Sequence, residues 1–180
     1  MVERSVELIV MADVPGLGLV AVLRDRGYWN FEKMRPESYP GACQVTAHGK
    51  LNEGESFETA LKRETKEELG EGFEGMLSVV RMFSQAGGLQ KDGIRFEVNR
   101  EETPEKAVIT FATKVDGYFI SHMRLGPETG GLRLLRRDEL EKIVDLRRID
   151  KQIGVPDCMT VAMFPDEKKA VEKAFELFSK

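Results

Sequence analysis

GKLNEGESFETALKRETKEELGE, residues Gly49 to Glu71, decides how this chain is read. Ser56 is placed to cap a helix at its start, and Gly70 to end it. Phe57, Ala60 and Leu61 set an apolar stripe at i, i+3 and i+4. At about 100° per residue, Glu64 and Glu68 fall within about 20° of Phe57 on the helical wheel, and Glu67 falls beside Ala60. Lys62 and Lys66 point the other way. The face that begins as apolar therefore ends in three carboxylates. Acids crowded on an inward face repel one another and lose hydration. A divalent cation among them removes that conflict, and hard oxygen donors suit Mg²⁺ or Mn²⁺. The plain alternative is a solvated acidic helix end, paired with lysines.

The rest of the chain sets the frame. Its 180 residues suit one domain with a core of its own. Hydrophobic residues make up 41% and charged residues 32%, an ordinary globular balance. A formal net charge of -4 offers no strong positive field for a nucleic acid polymer. Cys43 and Cys158 form neither a disulfide framework nor a zinc spacing, which fits a reducing cytoplasm. The segment VERSVELIVMADV has no basic n-region or cleavage site, and its apolar run is too short and too charged to span a membrane.

Before the quoted stretch, SVELIVMADV and LVAVLRD read as strands joined by a hairpin turn at PGLG, 15–18. RDRGYWNFEKMRPESYPG reads as a loop, and ACQVTAHG as a short strand. After Gly70, the expected strands are MLSVVRMFSQ, DGIRFEVN, AVITFATKV and GGLRLL, with breaks at Gly87-Gly88 and NREETPEK. Helices are expected at about 137–147 and 165–179, the second with Ala170, Ala174, Phe175 and Phe178 on its apolar side. Strands, helix, strands, helices predict a mixed α/β fold in a single domain over 1–180.

The spacing sharpens the reading. Gly49, five residues, Glu55, seven residues, Arg63-Glu64, two residues, Glu67-Glu68, one residue and Gly70 follow in order. This resembles the Nudix box, G-x5-E-x7-R-E-U-x-E-E-x-G-U, with U a bulky apolar residue, over 49–71. Every glycine, glutamate and arginine of the pattern is present; Thr65 and Glu71 depart at the two U positions. The resemblance implies the Nudix (MutT-type) α/β/α sandwich with a mixed sheet. It also implies a hydrolase that cleaves the diphosphate linkage of a nucleoside diphosphate derivative by attack of water on phosphorus. Carried over residue by residue, Glu64, Glu67 and Glu68 are the metal ligands, and the Gly49 carbonyl adds a candidate ligand. Glu64, Arg63 and Glu67 form the catalytic set, with Arg63 orienting a glutamate by an ion pair. Glu55 supports the loop and is a further candidate for metal contact through water. Mg²⁺ or Mn²⁺ is the implied cofactor: it neutralises the diphosphate and lowers the pKa of a bound water.

The general base is either Glu64 or a loop acid, for which Glu128, Glu101, Glu102 and Glu105 are the candidates. Tyr28, Trp29 and Phe31 could stack a base, and Arg124 and Arg133 could reach phosphates, although loop burial and surface pairing compete for these residues. The motifs of the family's substrate subgroups are not found near Ala86-Gly87-Gly88, so the substrate stays open beyond a small nucleotide. The number of metals and a homodimer stay open as well. Two other readings remain. Cys43, followed by His48, stands where isopentenyl diphosphate isomerases of similar fold place a catalytic cysteine, but that metal site needs several histidines and only His48 and His122 exist. A non-catalytic nucleotide sensor is the third, and such proteins often lose the box acids that this chain keeps.

Overall fold

The computed structural model describes residues 2–31, 33–77, 95–126 and 129–179. Two long strands, β1 (Glu3–Val14) and β2 (Gly18–Arg26), pair antiparallel from Val14↔Gly18 to Val10↔Val22. Their turn is the expected hairpin. Gly16 and Gly18 take φ of 82° and 76°, values that a side chain would strain. Short strands β3 (Trp29–Asn30) and β4 (Arg35–Pro36) form a separate hairpin. The stretch read as one short strand is two: β5 (Cys43–Gln44) pairs with β2, and β6 (Ala47–Lys50) pairs with β1.

Helix α1 covers Phe57–Leu69. Ser56 caps it, accepting the Thr59 N–H at 3.2 Å, a contact worth about 1 kcal/mol. At the other end the Gly70 N–H donates to the Lys66 carbonyl, with φ at 92°. A second helix, α2, occupies 71–77 and includes the first two residues of the expected strand MLSVVRMFSQ; the remainder of that strand lies outside the described residues. Strands β7 (Phe96–Glu102), β8 (Lys106–Asp116) and β9 (Thr129–Arg136) complete the main sheet. The break expected at NREETPEK is shorter than its charge suggested. Asn99 to Glu102 stay in β7, where Arg100 bridges Glu97 and Glu102 along the strand at 2.9 Å each.

Among the described residues the sheet has seven strands, in the order β5-β2-β1-β8-β7, with β6 also on β1 and β9 also on β2. It is mixed: β1 and β8 run parallel over eleven paired positions, and the other pairs run antiparallel. β1 is central and buried on both faces, and its period-2 geometry sorts the side chains. Val6, Leu8, Val10 and Ala12 pack with Ala60, Leu61 and Leu69 of α1 and Phe73 of α2. Ile9 and Met11 pack with Ala170, Val171, Ala174, Phe175 and Phe178 of α3 (Pro165–Phe178). The α3 stripe is the one expected, and the layering is that of an α/β/α sandwich.

The helix expected at about 137–147 is corrected. Arg137–Lys142 and Leu146–Arg148 are 3₁₀ turns, separated by β10 (Val144–Asp145). β10 pairs parallel with β11 (Ala162–Met163), and the Val144 N–H donates to the Val161 carbonyl at 2.9 Å. A β-branched Ile143-Val144 pair favours extension, and the Asp145 carboxylate accepts the Arg147 N–H, starting a new turn instead of continuing the old one. Leu140, Ile143 and Leu146 are buried all the same. Their spacing suits a helix, but tertiary pairing takes the backbone.

Candidate active site

Strand β6 leads from the sheet into the loop before α1, and α1 returns over it. The residues of the quoted stretch therefore meet across a strand and a helix. Gly49 lies on β6 opposite Val6, and a Cβ at this position would overlap the Glu64 carboxyl group. Glycine is needed there for close approach, and the Glu64 side chain fills the space it leaves. Glu64 is buried, with a side chain 12% exposed. Burial raises its pKa, and the Arg63 hydrogen bond works against that rise.

Arg63 is the hub. Its Nε donates to Glu55 Oε1 at 3.0 Å and its Nη2 to Glu55 Oε2 at 2.9 Å, a two-point pairing of guanidinium and carboxylate. Nη1 donates to Glu64 at 2.6 Å and to Glu67 at 3.2 Å, and Nη2 also reaches the Lys50 carbonyl at 2.8 Å. Glu55 in turn accepts the Asn52 N–H at 2.9 Å, which fixes the loop before the helix. These bonds, Arg63's first, hold the Glu55 carboxyl below its ordinary range. Arg63 and Glu55 are thus joined to each other and to the loop before the helix.

Glu68 is tied differently. Its Oε1 meets Arg24 Nη2 at 2.8 Å, and its Oε2 accepts the His48 backbone N–H at 2.8 Å. Burial outweighs the pull of Arg24, so its pKa is raised. Glu67 departs from the inward face read from the wheel: its side chain is 57% exposed, at the rim beside Arg63. Thr65, at the first departure from the box, is fully buried and donates its hydroxyl to the Leu61 carbonyl at 2.6 Å. Its hydroxyl is satisfied within the helix, so the site loses nothing by it. Glu71, at the second departure, is exposed and pairs with Lys66.

Glu64 meets β6 at Gly49, Glu68 meets it at the His48 N–H and Glu67 stands at the rim, and the three present only oxygen donors. That donor chemistry suits a hard divalent cation. Among the described residues, no three acid, histidine or cysteine side chains stand together as a finished cage; the carboxylates are turned to arginines.

The other candidates separate. Arg133 is held by Asp25 at 2.7 and 2.8 Å and also reaches the Cys158 carbonyl. Arg124 packs its side chain against Gly70, and its N–H donates to the Leu69 carbonyl. Tyr28, Trp29 and Phe31 are 72%, 40% and 54% exposed, so they remain free to stack. Glu101 and Glu102 belong to β7 and Glu105 to the turn after it, while Glu128 lies outside the described residues, as do Ala86, Gly87 and Gly88. Cys43 is buried in the core on the α3 side of the sheet, and burial pushes its thiol far above the ordinary range. A proton-transferring thiol is not available there. His48 is pushed down to about 4, first by burial and then by Arg24, so its ring is neutral at pH 7.

Sequence reasoning missed a polar cavity of about 360 Å³ beside this site. Arg24, Arg26, Lys33 and Arg35 line it, with Glu68 and His48 in the shared wall. The only signal available was the density of basic residues between Arg24 and Arg35, spread over a stretch with no periodicity.

Comparison with known proteins agrees with the geometry. The NUDIX domain family matches residues 16–153. No curated protein sequence matches the chain. Among solved structures, a mutT/nudix family protein from Listeria innocua is similar with a TM-score of 0.60 at 16% identity, over 98% of this chain and 94% of that one. A MutT/nudix family protein from Enterococcus faecalis gives 0.58 at 15% identity over 99% of this chain, which spans 62% of that protein's length. The NUDIX domain of Shewanella oneidensis NrtR, solved with ADP ribose, gives 0.55 at 10% identity, over 98% of this chain and 88% of that one. At such identities the likeness speaks for the fold. No described helix is long and apolar enough to cross a membrane.

Proposed function

From the premise that this chain belongs to the NUDIX family, we propose that it is a hydrolase of phosphoric anhydride bonds that cleaves the diphosphate linkage of a small nucleotide derivative with a divalent cation, Mg²⁺ or Mn²⁺, held by the box helix. The observation that carries the reading is the seating of Glu64 against Gly49 with Arg63 clamped to Glu55. That arrangement fixes a buried carboxylate at the start of the loop and leaves Glu67 and Glu68 on either side of it.

Glu64, Glu67 and Glu68 would hold the cation, with the Gly49 carbonyl as a further donor and Glu55 as outer support. When bound, the cation supplies charge neutralisation of the diphosphate and acidification of water. Arg63 keeps Glu64 in one orientation, since Glu55, Glu67 and the Lys50 carbonyl fix its guanidinium. Glu64 is the base that takes the proton of the attacking water, and the leaving phosphate departs in line. Glu64 can keep Arg63 on one oxygen and offer the other to an ion, whereas both oxygens of Glu68 are engaged, one by Arg24 and one by the His48 N–H. The chain works as one domain over 1–180 on a small dissolved nucleotide.

The NrtR domain bound to ADP ribose makes nucleoside diphosphate sugars a natural first substrate set. The test is a panel of nucleoside triphosphates, nucleoside diphosphate sugars and dinucleoside polyphosphates, each with Mg²⁺, Mn²⁺ and a chelator, in ¹⁸O-water. Cation-dependent release of ¹⁸O-labelled phosphate products is expected. Binding without turnover across the panel would replace the hydrolase with a nucleotide sensor.

A further inference from the structure

The cavity beside Glu68 has a charge imbalance that the box chemistry does not use. Among the described residues three acids line it, and each is already engaged. Asp25 takes Arg133, Glu37 takes Arg26 and Asn30, and Glu68 takes Arg24. Arg26 also donates to the Ser38 carbonyl at 2.7 Å. Lys33 and Arg35 line the same cavity, are exposed, and have no side-chain ion pair among the described residues. Arg24 stands in the wall of the same cavity, nine-tenths buried. Among the described residues Lys33 and Arg35 are left over once the ion pairs are formed, and two unpaired cations beside a buried guanidinium call for a ligand rich in oxygen and negative charge.

The lining also says which end of a nucleotide belongs here. Among the described lining residues there is no Phe, Tyr or Trp ring, the His48 imidazole is largely buried, and Pro36 is the one apolar side chain. Tyr28, Trp29 and Phe31, the rings of the same loop, lie outside it. A base finds nothing to stack on, whereas a phosphate finds Arg24, Lys33 and Arg35. The shared wall at Glu68 places this phosphate next to the proposed cleavage site and not at it.

We propose that the cavity lined by Arg24, Lys33 and Arg35 binds a phosphate group additional to the diphosphate being cleaved, so that the chain selects nucleotides with an extra phosphate over simple diphosphate sugars. This rests on the proposed hydrolase reading for its catalytic consequence, and not for the binding itself. The extra phosphate has two chemical sources: the end of a polyphosphate chain, or a phosphomonoester on the ribose.

The test uses the full chain and a Lys33→Gln/Arg35→Gln double variant, whose substituted side chains are exposed. Binding of inorganic tripolyphosphate is measured by calorimetry in the presence of chelator. The double variant should bind about tenfold more weakly, the effect of losing two exposed charge contacts. Specificity is then read as the ratio of kcat/KM for a nucleoside triphosphate to that for a nucleoside diphosphate sugar, and the same ratio for a sugar carrying a ribose phosphomonoester. One ratio should fall about tenfold in the double variant, and which one falls identifies the source of the phosphate. Unchanged tripolyphosphate binding, or kcat/KM falling equally on all three substrates, overturns the proposal. If no nucleotide is hydrolysed, the hydrolase reading fails, and the calorimetry still decides the cavity.

Discussion

Gly49 and Glu64 compete for one space: the carboxyl group of Glu64 stands where a Cβ at position 49 would be. The relationship joins a strand residue to a helix residue fifteen positions later, and it makes Gly49→Ala a test of the site that leaves every acid in place. The added methyl must push Glu64 away from β6. Turnover should fall by at least about a hundredfold, the scale of a misplacement near 1 Å, with the far-ultraviolet circular dichroism spectrum unchanged. A Gly49→Ala protein with parental kcat would mean that Glu64 is not used where it stands.

Glu68 is bound to Arg24 and to the His48 N–H, so its removal tests two ideas at once. Glu68→Gln keeps the shape and an acceptor for the N–H, but loses the charge. Turnover at saturating Mg²⁺ should drop at least about a hundredfold if the carboxylate is a metal ligand. The parent should also melt higher in Mg²⁺, by about 2.7 kcal/mol of stability at a hundred times Kd, and the variant should gain less. Equal thermal shifts in both proteins would remove Glu68 from the ligand set.

Cys43 separates the hydrolase from the isomerase. Its side chain packs among Ile9, Leu23 and their neighbours with the thiol neutral. Cys43→Ala should keep most of the nucleotide hydrolysis and lose about 1 kcal/mol of stability to a small cavity. Near-complete loss of activity in a variant that still melts cooperatively would bring the thiol back into the chemistry.

Glu167 on α3 predicts a pH dependence away from the box. It is 6% exposed, one carboxylate oxygen has no hydrogen-bond partner, and its pKa is pushed up to about 8, first by burial and then by Glu7 and Asp166. Glu7, itself raised by burial, shares a small cavity with it, as do Arg26, His48, Lys106 and Asp166. The folded state holds a proton on Glu167 that the unfolded chain releases near the ordinary value of 4.5. The stability this gives is complete below that value and is lost as pH rises towards about 8. Glu167→Gln keeps the group neutral throughout. Its Tm should exceed the parent's by about 4 °C or more at pH 8.5 and match it near pH 4.5. A constant offset across that range would show that the substitution acts through packing.

Much of the frame was legible before any coordinates. Ser56, Gly70 and the Phe57-Ala60-Leu61 stripe act through neighbours three or four residues away, and such contacts leave a periodic trace. The same holds for the hairpin at Gly16-Leu17-Gly18 and for the α3 stripe. The wheel placed Glu64 and Glu68 correctly but not Glu67, because an angle around the helix does not say where the covering strand ends. β6 stops at Lys50, and Glu67 is left in solvent. Arg24 was invisible as the partner of Glu68, since no pattern links residues forty-four apart. The 137–147 segment misled for the opposite reason: its local spacing was good, and a distant strand at Ala162–Met163 overrode it.

The two-sided burial of β1 gives the growing chain an unequal history. Everything that seats Glu64 — β1, β2, β6 and α1 — has been made once Leu69 is joined, so the box can close early around short-range partners. The opposite face of β1 and β2, with Ile9, Met11, Ala21 and Leu23, waits for α3, which begins at Pro165. Until then it is an open apolar sheet surface, and its parallel neighbour β8 arrives only after a long interval of synthesis. Chains halted between these two points leave the α3 side open over its whole extent, while the α1 side, already holding its carboxylates, still waits for Phe111, Val115, Leu132 and Leu134.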